Sequence, residues 1–430
     1  MSQETKPLDE DFALTEVPAA SRRGFWSMFV VMLGFTFFSA SMWVGAGMGA
    51  DLTLSQFILA MLVGNLILGV YTSTLAYMAS KTGLSVHLLC RYSFGVKGSW
   101  LPSAILAITQ IGWFGVGVAM FAIPVQKWLA AKGISCNIWL PVILSGAAFT
   151  ASAYFGIKAL AIVSIIAVPA VAIGGGFSAI KVFVDNPDAW KTLSNAIPAS
   201  SISLGAAIAM AVGSFISGGS CTPDFARFAK NTKTAISTTA IAFFIGNSLM
   251  FMFGAVGGMF YKTNDISEVM VAQGLLLPAC IVLGLNIWTT NDNALYTSGL
   301  GISNITGFAK KKVVIFNGIL GTVLAMFLYN NFVAYLSFLN SMIPPVGAVL
   351  AADFFLFRKQ KYESLAELKN AKAVNIAAVL AWLCGVLTAN FVKCGISSIN
   401  GMAVAFVVYW IARTWTIVMD TCEVVNRKLK

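Results

Sequence analysis

Long apolar runs bounded by charged or turn-forming residues recur along the whole chain. Twelve such windows can be marked off, at about 24–47, 55–79, 101–125, 137–154, 159–183, 202–219, 234–261, 268–291, 313–330, 332–355, 373–392 and 401–420. They are 18 to 28 residues long, which suits the roughly 20 residues an α-helix needs to cross the hydrocarbon of a bilayer. The runs are continuous. A membrane β-barrel would instead alternate over segments of about ten residues, so the pattern disfavours that architecture. The loops are short, no soluble domain is inserted, and the polar, acidic first 20 residues read as a tail.

Two windows are poor helices at their centres. The first contains Gly34-Phe35-Thr36-Phe37-Phe38-Ser39-Ala40-Ser41, and the sixth contains Gly213-Ser214-Phe215-Ile216-Ser217-Gly218-Gly219-Ser220. Glycine and serine weaken helix propensity, and in lipid an unwound backbone persists only where it lines a protein cavity. Two interruptions in corresponding places point to a transporter built from inverted repeats, with its site at the breaks. Phe37–Ser41 precedes Phe215–Gly219 by 178 positions, and all five pairs are identical or similar. The predicted organisation is a tail (1–23), a first repeat of five spans (24–183), a second of five (202–355), two further spans (373–420) and a second tail (421–430). Five is odd, so the second repeat enters from the opposite side. The fold class is an all-α integral membrane protein of twelve transmembrane helices, with helices 1 and 6 broken.

Composition strengthens this picture. Hydrophobic residues make up 58% of the 430, charged residues only 10%, and the mean hydropathy is +0.81. A soluble protein carries about 25% charged residues, so a water-soluble enzyme is excluded. The net charge of +11 sits between the apolar runs and forms no nucleic-acid-binding region. With both termini on one side, that side holds 21 of the 28 Lys and Arg and the other six, Arg413 lying within the last span. The asymmetry places both termini in the cytoplasm and the chain in the cytoplasmic membrane. Lys310-Lys311-Lys312 reads as part of this topology signal, with contact to anionic lipid also open. Ser21-Arg22-Arg23-Gly24-Phe25 resembles a twin-arginine export signal. The long run behind it, without a clear cleavage site, reads rather as an anchored first span. Seven scattered cysteines and the single His87 give no support to a zinc or iron–sulfur site.

Candidate chemistry lies in polar groups within the spans. Gln110 and Trp113 of span 3 are three apart and share a helical face. An amide with donor and acceptor beside an indole surface suits a flat, neutral, amide-like ring. Interhelical glue and an interfacial anchor are the plainer readings. Span 8 is expected to end in Asn286-Ile287-Trp288-Thr289-Thr290-Asn291-Asp292-Asn293. Thr289 and Thr290, the carbonyl of Asn286 and opened carbonyls near Gly34 and Phe37 can form an oxygen cage for a small cation. Sodium suits such a shell without a formal charge; a proton site would need Asp292, whose other reading is a network partner.

These residues carry a resemblance. Thr36-Phe37-Phe38-Ser39-Ala40-Ser41-Met42-Trp43, Phe94-Gly95-Val96-Lys97-Gly98-Ser99-Trp100-Leu101-Pro102, Gly112-Trp113-Phe114-Gly115-Val116-Gly117-Val118-Ala119-Met120, Gly213–Ser217 and Gly284–Asn293 closely resemble the bacterial cytosine permeases of the nucleobase–cation symporter family. The resemblance runs from about Arg23 to span 12. It implies the five-plus-five, LeuT-like fold and uptake of cytosine with a cation. It further implies that Trp113 and Phe215 sandwich the base, that Gln110 reads its amide edge, and that Ser214, Ser217 and Asn291 add hydrogen bonds. The implied sodium ligands are the carbonyls of Gly34, Phe37 and Asn286 with the hydroxyls of Thr289 and Thr290.

The expected function is sodium-coupled import of cytosine by alternating access, with the bilayer as surroundings and no obligate protein partner. Alternatives are another base or ring (uracil, a purine, hydantoin), proton coupling, or an amino-acid carrier on the same fold. A channel and a membrane-embedded enzyme are the different-class alternatives. The asymmetric breaks oppose the first, and the absence of a His/Asp/Glu/Cys constellation within the spans opposes the second.

Overall fold

The computed structural model describes residues 12–195, 197–198, 202–263, 266–365, 367–370, 373–392 and 394–428. Residues 1–11 of the predicted N-terminal tail, Lys393 and the last two residues of the C-terminal tail lie outside the described residues. The first half of the chain forms α1 (Phe25–Thr36), α2 (Ser39–Asp51), α3 (Leu54–Thr82), α4 (Val86–Phe94), α5 (Trp100–Ala131), α6 (Trp139–Tyr154), α7 (Ile157–Asp185) and the short α8 (Ala189–Ser194). Then come α9 (Leu204–Gly213), α10 (Ile216–Ser220), α11 (Thr222–Ala226), α12 (Thr232–Ile241), α13 (Asn247–Tyr261), α14 (Ile266–Ala272) and α15 (Leu276–Thr306). The chain closes with α16 (Lys310–Asn330), α17 (Phe332–Met342), α18 (Pro344–Ala352), α19 (Ile376–Phe391) and α20 (Ser397–Lys428). Among the described residues, extended pairing is confined to one isolated bridge between Arg23 and Ala229. Seven helical stretches among the described residues are long and apolar enough to cross a membrane, or eight with α1 and α2 taken as one broken span.

Both interruptions are present. α1 and α2 meet at 50°. Phe37 and Phe38 between them leave the helical region, with Phe38 fully extended at φ −127°, ψ 128°. In the sixth span the chain leaves the helix at Ser214-Phe215 and resumes as α10 and α11. The 178-residue offset therefore sets Phe37, at the first break, opposite Phe215, at the second.

Span 8 differs from the expectation. Gly274, at φ +75°, ends a separate short helix, α14, and the long helix starts only at Leu276. It runs on to Thr306, so the polar stretch Asn286–Asn293 lies in mid-helix rather than at an end. Ala294-Leu295-Tyr296 and Leu300 continue its buried apolar face, which keeps this polar run inside the protein. The segment between spans 2 and 3, read as a loop, also carries the buried helix α4, started by Ser85, whose hydroxyl accepts from the Leu88 N–H.

Polarity is turned inside out relative to a soluble protein. Leu62, Leu66, Ile165, Ile173, Phe316, Phe327 and Trp415 face outward, whereas Gln110, Asn247, Asn286, Asn291 and Asp292 are buried. Polar groups within a bilayer are tolerated in that arrangement. The contact between α2 and α13 is close. A Cβ on Gly45 would sit 2.3 Å from the Phe251 carbonyl oxygen, and one on Gly254 would sit 1.9 Å from that of Met42. Both sites belong to glycines four apart (Gly45/Gly49 and Gly254/Gly258), the spacing that lets membrane helices approach backbone to backbone. Gly254→Ala must push these helices apart and is expected to lower the thermal stability of detergent-purified protein more than Gly69→Ala, where a Cβ meets nothing within 4 Å.

Candidate functional site

The break in helix 1 frees backbone groups that need partners in a membrane interior. Asn286, in the middle of α15 and 1% exposed, supplies two. Its Nδ2 donates to the Phe37 carbonyl at 2.5 Å, and its Oδ1 accepts from the Ser39 N–H at 2.6 Å. One side chain thus clamps both sides of the break to α15. One turn further on, the hydroxyls of Thr289 and Thr290 donate to the Asn286 carbonyl at 2.8 and 3.1 Å. Their hydrogens are directed back to their own helix, so their oxygen lone pairs stay available to a cation. Gly34 lies one turn before the break against α7, where a Cβ would come within 2.4 Å of Ser164 Oγ. Of the predicted cation ligands, Phe37 and Asn286 meet at the junction of helix 1 with α15, Thr289 and Thr290 follow one turn on along α15 with their hydroxyls on the Asn286 carbonyl, and Gly34 lies one turn earlier on α1 against Ser164. All are oxygen donors, as a hard monovalent cation requires.

Beside this junction is a narrow cavity of about 30 Å³, lined by Phe35, Phe38, Gln110, Trp113, Ser214, Phe215, Gly218, Thr290, Asn291 and Ala294. Trp113 and Phe215 both pack edge-on against Phe38, at centroid distances of 5.2 and 6.2 Å. Behind Trp113 stand Phe332 and Tyr335, at 5.8 and 5.5 Å. The Tyr335 hydroxyl donates to the Thr109 carbonyl, and so ties α17 to the turn that carries Gln110. Gln110 Nε2 donates to Ser217 Oγ at 2.9 Å. Ser214 Oγ donates to the Ala211 carbonyl at 2.8 Å. Asn291 Nδ2 is buried with no hydrogen-bond partner, although a buried amide donor normally has one. An acceptor on a ligand in the cavity would satisfy it.

The predicted base-site residues Gln110, Trp113, Ser214, Phe215 and Asn291 all line this cavity. Ser217 does not; it holds Gln110 from behind. Asp292 also faces away. Its Oδ1 accepts from Ser152 Oγ at 2.5 Å, and that oxygen in turn accepts from Trp288 Nε1 at 2.7 Å, which joins α15 to α6. Sequence reasoning missed Phe35 and Phe38 as lining residues, although both lie in the interrupted stretch that drew attention to span 1. Tyr335 and Gly117 had no signal of their own. A Cβ on Gly117 would fall 2.2 Å from Asn291 Oδ1, so glycine there lets the Asn291 amide lie back against α5. Gly117→Ala should weaken binding of the transported ring by about tenfold, the scale of one misplaced hydrogen bond. Titrating ligand against the purified variant checks this, with unchanged thermal stability as the control.

A transporter of LeuT-like architecture is the class that this fold and cavity define. Over 95% of both chains, the structure superposes on Mhp1, a nucleobase-cation-symport-1 family transporter in a closed conformation with bromovinylhydantoin bound, at a TM-score of 0.81 and 20% identity. A substrate-bound, outward-open Na+-coupled sialic acid symporter aligns at a TM-score of 0.72 and 13% identity, over 96% of this chain and 92% of that one. The family of permeases for cytosine/purines, uracil, thiamine and allantoin matches residues 16–413. The cytosine permease of Escherichia coli (strain K12) is 51% identical over 394 residues, 92% of each chain. The chain belongs to this permease family, the nucleobase–cation symporters. It is a multi-pass membrane protein and a secondary transporter of nucleobases, not an enzyme.

Proposed function

We propose that this transporter imports cytosine across the cytoplasmic membrane together with sodium, by alternating access, with both termini in the cytoplasm. The observation that carries the reading is the pairing of two neighbouring features. One is an aromatic cavity with an amide at Gln110 and an unpaired amide donor at Asn291; the other is a cluster of oxygen ligands at the break of helix 1. Cytosine is neutral, flat and polar only at its edges, so stacking between Trp113 and Phe215 with contacts from Gln110, Asn291 and the Ser214 region suffices without a counter-charge. The name of the Escherichia coli relative supports this substrate.

Thr290 lines the cavity, and as one of the proposed cation ligands it gives ion and base a shared wall. Sodium between Gly34, Phe37, Asn286, Thr289 and Thr290 would hold the broken helix in the shape that accepts the base. By linkage, base must then strengthen sodium binding by the same factor. Closure of the bundle over the base and reopening inward would release both. The inward direction follows the sodium gradient, and the 21-to-6 bias of Lys and Arg supports the orientation.

The test is cytosine binding to the purified protein, with sodium titrated against choline at fixed pH and uracil, hypoxanthine and hydantoin as competitors. Sodium-dependent binding that the competitors do not displace is the expected result. Binding that ignores sodium and follows pH would transfer the coupling to protons and direct attention to Asp292. No cytosine binding, or displacement by another ring, would remove the substrate assignment and leave the fold as it is.

A further inference from the structure

A carboxamide can present either its oxygen or its nitrogen to a ligand, and its neighbours decide which. At Gln110 the decision runs through two hydroxyls. Thr109 Oγ lies 2.8 Å from the Leu106 carbonyl, which can only accept, so the Thr109 hydrogen is spent there. The Thr109 oxygen is then an acceptor, and Ser217 Oγ donates to it at 3.3 Å. With its single hydrogen used, the Ser217 oxygen can only accept, and Gln110 Nε2 donates to it at 2.9 Å. With the Ser217 hydrogen held by Thr109, this order of donors favours one arrangement for the amide: nitrogen toward Ser217 and oxygen toward the cavity that Gln110 lines. All three side chains are at most 3% exposed, so bulk water does not compete for these bonds. Thr109 itself does not line the cavity.

We propose that Thr109 is a specificity-determining positioning residue, which acts through Ser217 to lock the Gln110 carboxamide with its acceptor facing the base. This rests on the assignment of the cavity to the base. A locked acceptor matches a ring that carries an exocyclic amine, as cytosine does at C4. It opposes the carbonyl that uracil carries at the same position, because two acceptors then face each other in a dry site and neither is paired. Asn291 Nδ2, unpaired on the other side, offers a donor to the ring nitrogen or carbonyl that cytosine presents next to its amine. Removal of the Thr109 hydroxyl releases the Ser217 hydrogen. That hydrogen can then be given to the Gln110 oxygen, the amide turns over, and an N–H faces the cavity.

The experiment measures cytosine and uracil binding, each with sodium present, for the unsubstituted protein and for Thr109→Val, Thr109→Ala and Thr109→Ser. The ratio of the two dissociation constants should fall by at least about tenfold in the valine and alanine variants, and the serine variant, which keeps the hydroxyl, should restore it. A purely structural role would weaken both ligands together and leave the ratio unchanged. If the valine variant does not fold, the alanine variant, which only removes bulk, gives the same readout. Preserved selectivity in the folded valine or alanine variant overturns the inference while leaving the cytosine assignment intact. Failure of the unsubstituted protein to bind cytosine removes that assignment and the inference with it.

Discussion

Replacement of Asn286 by alanine is expected to abolish the sodium-dependent component of cytosine binding, with a loss of affinity on the order of a hundredfold. The substitution removes both hydrogen bonds that hold the Phe37 carbonyl and the Ser39 N–H at the break. Each buried group left unpaired costs about 1–3 kcal/mol, and about 1.4 kcal/mol is a factor of ten in a binding constant. The backbone oxygens offered to the cation lose their fixed positions, although the Asn286 main chain, Thr289 and Thr290 all remain. Isothermal titration of the purified variant with sodium, and then with cytosine at saturating sodium, separates the two effects. Unchanged sodium affinity would show that the clamp serves stability alone. Asn286→Asp keeps the acceptor for Ser39 but replaces the donor to Phe37, and should fall between the alanine variant and the unsubstituted protein.

The second large effect is expected at Trp113. Stacking of a base on an aromatic ring is worth about 1–3 kcal/mol, so Trp113→Ala should weaken cytosine binding by roughly 5- to 150-fold. Sodium binding in the absence of base should change little, because Trp113 is not among the oxygen ligands at the break. The indole also fills the space between Phe38, Phe332 and Tyr335, so some loss of thermal stability accompanies the change. Trp113→Phe keeps a ring against Phe38 and should recover most of the stability and part of the affinity. Equal loss of sodium and cytosine binding in both variants would mean that the site had collapsed as a whole, and the stacking account would fail.

Much of the architecture was legible because a membrane interior exaggerates the cost of irregularity. Glycine and serine at the centre of an apolar run marked both breaks, and the 178-residue offset aligned Phe37 with Phe215. Gln110 and Trp113 were legible as a pair because three residues along a helix is a fixed geometry. Span 8 was misplaced by its start: the short apolar patch Val269-Met270-Val271-Ala272 ahead of Gly274 merges with the longer run behind it, and hydropathy does not register the turn that separates α14 from α15. The role of the Asn286 side chain was not legible, since the sequence pointed only to its carbonyl. A hydrogen bond across 249 positions leaves no trace in local pattern. Ser217 illustrates the same limit, because whether a hydroxyl faces a ligand or another side chain depends on the rotation of its helix.

The close crossing of α2 and α13 has a mechanical meaning. Backbones in contact at Gly45 and Gly254 cannot slide past each other without a clash, so α2 and α13 form one stiff arm. The 13 residues of α2 give that arm a length of about 20 Å at 1.5 Å per residue. Pivoted at Phe37-Phe38, a turn of about ten degrees carries its tip roughly 3.4 Å, about the thickness of an aromatic ring. A small change in angle at the break therefore displaces the far end of α2 by about one ring thickness, with every helix in the arm intact.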